Sequence, residues 1–274
     1  MMYRWFVGLT LDEAVWDHSS FSANRERLLK ESVMREFFTG VVAIGQWAEL
    51  VSDEHFSVDG SLLRAWASHK SLAARDGSDE PPGPDQGRNA EVDFRGQKRS
   101  NATHVSRTDP EALLASKGGA GAYLSFTTHA LAENRHGLIV DVHTTQATGT
   151  AEREAALVMV KRTVKPADAT RQPTLAADRG YDTADFIAAL GPLGVLPHVA
   201  AKTKGSAVPS EIKVTEAYAV SLRRRKMIEE AFGWAKDIGT LRRLMARGLE
   251  TIRAHALLNF AAYNLTRLGN LLAS

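Results

Sequence analysis

Residues 122–147, AYLSFTTHALAENRHGLIVDVHTTQA, constrain the fold more than any other stretch. Two runs rich in β-branched and aromatic residues flank ENRHG, which reads as a hairpin with its turn near Asn134 to Gly137. Element types alternate from there on. TAEREAALVMVKRTV reads as an amphipathic helix with Thr150 as its cap, and TLAADRGYD as a strand running into a turn. DTADFIAALGPLG reads as a helix ended by Gly191 and Pro192. VLPHVAA reads as a strand whose Pro197 calls for an edge or irregular position. With HFSVDGS, residues 55–61, as a short strand ending in Asp59-Gly60, the order is strand, two hairpin strands, helix, strand, helix, strand, helix. That order specifies an α/β fold, a mixed sheet flanked by helices. A helix crossing over between the hairpin and TLAAD makes that strand parallel to HFSVDGS.

The 274 residues divide into a partial helical amino-terminal region, 1–50, and a main domain, 51–274. In the first, DHSSFSANRERLLKES offers Ser20 or Ser22 as a helix cap, and VMREFFTGVVAIGQWAELV has helical spacing of apolar residues. The chain opens abruptly on MMYRWFVGL, large apolar residues with no lead-in, so further sequence is expected upstream. Residues 74–101 are polar and rich in Gly and Pro, without periodicity, and read as a flexible connector. The run GQKR within it reads as a solvated charge run. Residues 203–219 read as loop, and two helices close the chain.

Composition narrows the function classes. With no cysteine there are no disulfides and no thiolate metal sites, which fits a cytosolic protein. No apolar run is long enough to cross a membrane, so no membrane partner is expected. The opening lacks the basic segment and small-residue cleavage site of a secretory signal. A net charge of +2 permits a nucleic-acid partner without arguing for one.

The chemistry gathers in RRRKMIEEAFGWAKDI, residues 223–238. At about 100° per residue, Glu229 and Lys236 return to within about 40° of Arg225, so the three project from one line. Met227, Ile228, Ala231, Phe232 and Ala235 form a separate arc that would bury. Alone, the line is an ordinary Arg–Glu helix pair. Upstream, Asp59 and Asp178 each follow a strand, where Asp commonly serves a turn. Ligands in mixed sheets also gather at carboxyl ends of strands. Two carboxylates there, joined by Glu229, could hold magnesium or manganese through oxygen. Competing groupings are Asp141 with His143 and His129 as metal ligands, and Ser61 in VDGSLL, which lacks the second glycine of a nucleophile elbow. HExxH, Walker A and GxSxG sequences are absent.

DRGYD together with RKMIEEAFGWAK resembles the DDE transposases of the IS4/IS5 insertion-sequence superfamily. That family carries a D-x-G-Y block and a Y-x2-R-x3-E-x6-K block. Asp178, Gly180 and Tyr181 match the first; Arg225, Glu229 and Lys236 match the second, with Leu222 in place of its tyrosine. Asp59 in FSVDGSLL takes the place of the first aspartate, and KRSNATHVSRTDPEALL, HALAENRHGLIVD and AAYNLTRL are similar as well. The resemblance implies an RNase H-like fold and metal-dependent cleavage and strand transfer on double-stranded DNA, at terminal inverted repeats and in target DNA, by a homodimer. It implies Asp59, Asp178 and Glu229 as catalytic ligands of Mg2+ or Mn2+, and Arg225, Lys236 and Tyr181 as DNA contacts. The family's amino-terminal region extends upstream of YRWFVGL, so the resemblance also implies a truncated copy. A non-catalytic DNA-binding remnant and an RNase H-like nuclease are the alternatives.

Overall fold

The computed structural model describes residues 9–10, 12–15, 17–77, 99–116, 121–165 and 172–273. Two helices lead, α1 (His18–Leu28) and α2 (Glu31–Trp47). The cap of α1 is Asp17 rather than Ser20 or Ser22, because its carboxylate accepts the Ser19 N–H at 2.8 Å and both serines lie inside the helix. MMYRWFVG, connector residues 78–98 and all of GQKR but Arg99 lie outside the described residues.

Among the described residues eight strands follow in chain order: β1 (His55–Arg64), β2 (Leu72–Ala74), β3 (His104–Ser106), β4 (Leu113–Ala115), β5 (Tyr123–Glu133), β6 (Ile139–Gln146), β7 (Thr174–Ala177) and β8 (Leu196–Val199). In the main sheet β5 lies beside β1, then β7, then β8, with β6 and β4 both pairing with β5. β1, β7 and β8 are parallel, and β5 runs against β1. The hairpin β5–β6 turns through Gly137 at φ +74°, a conformation that favours glycine. Pro197 sits on β8, the edge strand, where its missing N–H interrupts no ladder. This is the α/β, RNase H-like mixed sheet that the element order and the resemblance called for.

The helices that cover the sheet are α3 (Ala151–Thr163), α4 (Ala184–Leu190), α5 (Ser210–Lys213), α6 (Glu216–Arg224), α7 (Lys226–Asp237) and α8 (Leu249–Leu272). Strand alternation sends Phe56, Val58, Leu131 and Leu175 into one core with Met159 of α3 and Phe186 of α4. Leu63 and Phe126 go to the other face, into a core with Phe38 of α2, Ile228 and Phe232 of α7, and Phe260 of α8. Four of the five residues expected to bury on α7 do so, Ile228, Ala231, Phe232 and Ala235; Met227 is half-buried.

Three readings need correction. The first strand does not end at Asp59-Gly60 but runs on to Arg64, because β5 pairs with it throughout, Asp59 opposite Ala130 and Gly60 opposite His129. Residues 203–219 are not all loop: α5 and the start of α6 fall there, and Thr215 caps α6 by accepting the Tyr218 N–H. The helix over 223–238 is interrupted at Arg225, between α6 and α7. The short strands β2, β3 and β4 carried no periodic signal, being three residues each.

Candidate functional site

Asp59 and Asp178 belong to neighbouring parallel strands. Each paired residue of β1 faces the β7 residue 119 further along the chain, from His55 opposite Thr174 to Ser57 opposite Ala176. Extended by two residues, that register sets Asp59 beside Asp178, where adjacent strands lie about 4.8 Å apart. Both point to the same face. Val58 and Ala177, their chain neighbours, go to the α3 side, so the aspartates turn toward α7. Each carboxylate is steadied by a nearby backbone N–H: Gly60 N–H to Asp59 Oδ1 at 2.8 Å, and Gly180 N–H to Asp178 Oδ1 at 2.7 Å. The second bond closes the turn Arg179–Tyr181 that follows β7.

Helix α7 crosses the same face. Lys236 anchors it to β1, its Nζ donating to Ser61 Oγ at 2.5 Å. Glu229 lies seven residues, about 10 Å, back along the helix axis. It is exposed and ion-paired with Arg225 at 3.3 Å, the i, i+4 pair that the spacing allowed. Asp59, Asp178 and Glu229 thus share one side of the sheet. By the extended register the two aspartates are neighbours, while Glu229 is held by Arg225. Among the described residues no group of three or more His, Asp or Glu side chains is close enough to hold a metal ion as it stands.

Tyr181, expected at the DNA, is fully buried, stacked edge-on against Phe186 at 5.3 Å. It presents no surface to a ligand. Among the described residues its hydroxyl has no hydrogen-bond partner, and burial, with Glu152, Asp59 and Asp178 nearby, pushes the phenol well above its ordinary pKa. It therefore stays protonated beside the acidic end of the strands.

Glu152 and His129 escaped the sequence reading of this end. They press on the strand from the α3 side, and Gly60 makes room for them. A Cβ at position 60 would lie 2.9 Å from His129 Nδ1 and 3.1 Å from Glu152 Oε1. The signal available was a glycine following an aspartate in a strand, which often marks a close approach.

The competing metal grouping does not assemble. His129 and His143 do pair across β5–β6. Asp141, however, is committed to Arg35 at 3.0 Å and to Arg162 at 2.6 Å, tying α2 and α3 to β6. Burial, then Arg162 and Arg253, hold the His143 pKa below its ordinary value.

Asp59 lies inside β1 and Asp178 directly after β7, on neighbouring central strands of an RNase H-like α/β sheet. The family model of the transposase DDE domain matches residues 55–265, and the chain belongs to that family. Its members are DDE transposases, whose substrate is DNA and which generally use a divalent metal ion. No curated protein and no solved structure matches the chain. Among the described residues no helix is long and apolar enough to cross a membrane.

Proposed function

We propose that the chain is an insertion-sequence transposase of the IS4/IS5 kind, which cleaves DNA at the inverted repeats ending its element and joins those ends to target DNA. The observation that carries this reading is the β1–β7 register, which extended by two residues puts Asp59 beside Asp178, on the face where Lys236 of α7 bonds Ser61. The donor set fits a hard divalent cation such as Mg2+ or Mn2+: carboxylate oxygens only, two of the groups adjacent and steadied by backbone N–H groups. Glu229 completes the set by leaving Arg225. Its exposure keeps the cost of that rotation near the worth of a surface pair, about 0.5 kcal/mol.

A bound ion supplies positive charge beside the scissile phosphate. The chain supplies the rest. Asp59 and Asp178 would hold the cation through their carboxylate oxygens. Arg225, once released, and Lys236 donate to the phosphodiester backbone. Tyr181 works from beneath, filling the core under the turn that carries Asp178. Cleaving and joining two ends requires two copies of such a site, which favours a homodimer on DNA.

The test is nicking of a DNA fragment that carries the genomic flanks of the coding sequence, with Mg2+ or Mn2+. The native chain is expected to nick at the inverted repeats, and Glu229→Gln to abolish nicking while retaining DNA binding. Unchanged nicking by Glu229→Gln removes Glu229 from the mechanism, and nicking at random positions favours a nuclease.

A further inference from the structure

Two hollows of about 560 and 450 Å³ open beside each other past the carboxyl end of β1. Ala65 and Trp66 line both. Trp66 is 51% exposed, a large apolar plate left in solvent. Arg247 covers one face of its ring, the guanidinium carbon 4.8 Å from the centroid, and Nε donates to the Trp66 carbonyl at 3.4 Å. The first hollow adds Arg64, Lys236 and Arg242, with Met245 exposed at its margin. The second adds Arg247 and the small polar residues Ser68 and Thr108.

The charge of this region is positive. Of the nearby carboxylates, Asp237 is paired with Arg242 (Nε to Oδ1, 3.0 Å), Asp109 is buried and accepts the Gly248 N–H, and Glu111 accepts the Leu249 N–H at 2.8 Å, against the four cations Arg64, Lys236, Arg242 and Arg247. Arg64 lies over the Tyr123 ring at 3.8 Å, which fixes its direction while leaving its outer N–H groups for an anion. The region is also continuous with the aspartate pair. Lys236 bonds Ser61, two residues past Asp59, and also lines the first hollow. Arg64 and Trp66 follow Asp59 by about 16 and 23 Å of extended chain.

An exposed aromatic plate backed by arginine, with further cations along a concave track, is how proteins hold single-stranded nucleic acid. A paired base has neighbours on both faces, so a duplex can reach the arginines but not the free face of Trp66. We infer that the two hollows bind unpaired nucleotides of the DNA strand leading away from Asp59 and Asp178, one base stacking on Trp66 and its phosphates meeting Arg64, Arg242 and Arg247. The inference rests on the transposase reading and adds to it a preference for DNA that is unpaired next to the cleavage point.

The test is fluorescence anisotropy in magnesium-free buffer at fixed salt, so that no cleavage intervenes. The probes are a blunt duplex and the same duplex with a 3′ or a 5′ oligothymidine overhang of about twelve nucleotides. The native chain is expected to bind one overhang duplex about tenfold more tightly than the blunt one. Trp66→Ala should remove most of that preference with blunt-duplex affinity unchanged, and Trp66→Phe should keep part of it. Equal binding of blunt and overhang duplexes by the native chain, or a Trp66→Ala loss that is equal on both, overturns the inference and leaves the transposase reading standing. A native chain that binds none of the probes overturns both.

Discussion

Gly60 sits one residue past the first candidate ligand, and replacing it with alanine probes how tightly that strand is packed. Its φ lies outside the left-handed region, so alanine meets no backbone strain there, and leaving glycine in a strand forfeits roughly 0.5–1 kcal/mol of conformational entropy. Against that gain, the new methyl would fall 2.9 Å from His129 Nδ1 and 3.1 Å from Glu152 Cγ and Oε1. The glutamate can swing aside. The imidazole cannot, because it is fully buried and its Nε2 is bonded to Thr145 Oγ1 at 3.0 Å. Overpacking of this kind costs about 1–3 kcal/mol, so the net change is a destabilisation of about 1–2 kcal/mol. For a chain of this size that lowers Tm by about 2–4 °C, readable by differential scanning calorimetry. The double variant Gly60→Ala/His129→Ala should recover part of the loss, since removing the ring vacates the clashing position. A Gly60→Ala chain as stable as the native one would refute the claim that His129 closes against the strand.

Acid should weaken the fold through His198. Burial, with His55 nearby, lowers its pKa from 6.5 to about 4, and its Nδ1 meets Ser221 Oγ at 2.7 Å. The unfolded chain therefore binds the extra proton first. This contribution is complete above pH 6.5, is lost as pH falls toward 4, and amounts to about 2–3 kcal/mol at most. His198→Gln should flatten the urea-midpoint profile between those limits, and an unaltered slope would mean that His198 is open to solvent. Asp141→Asn should destabilise by about 3 kcal/mol in urea melts, because it leaves Arg35 and Arg162 facing a neutral amide at a 4% exposed position. A change below about 0.5 kcal/mol would show that the arginines do not depend on that carboxylate.

Much of the fold was legible because its signals are local. The hairpin over 122–147 announces itself through β-branched runs around a glycine turn, and Pro197 through the edge strand that it requires. The extent of β1 was not legible. Asp59-Gly60 is a turn pair by local preference, and only pairing with β5, some seventy residues away, keeps it extended. α5 and α6 were missed because their sequence is polar, with burial confined to residues such as Tyr218 and Ser221. At the site, the helical line Arg225–Glu229–Lys236 was readable from spacing, as was the candidacy of both aspartates. That Lys236 would bond Ser61, and that Tyr181 would turn inward, depend on tertiary packing that spacing does not encode. Glu152 and His129 were hidden for the same reason: their meeting point is a glycine on another strand.

Manganese binding followed by calorimetry and electron paramagnetic resonance, on the native chain and on Asp59→Asn, Asp178→Asn and Glu229→Gln, bears most directly on the proposal that one cation joins the three carboxylates. Each single variant should weaken Mn2+ binding at least about tenfold and alter the bound-ion spectrum, with the fold intact by circular dichroism. Native-like affinity and spectrum in either aspartate variant would contradict a shared metal site and, with it, the catalytic account.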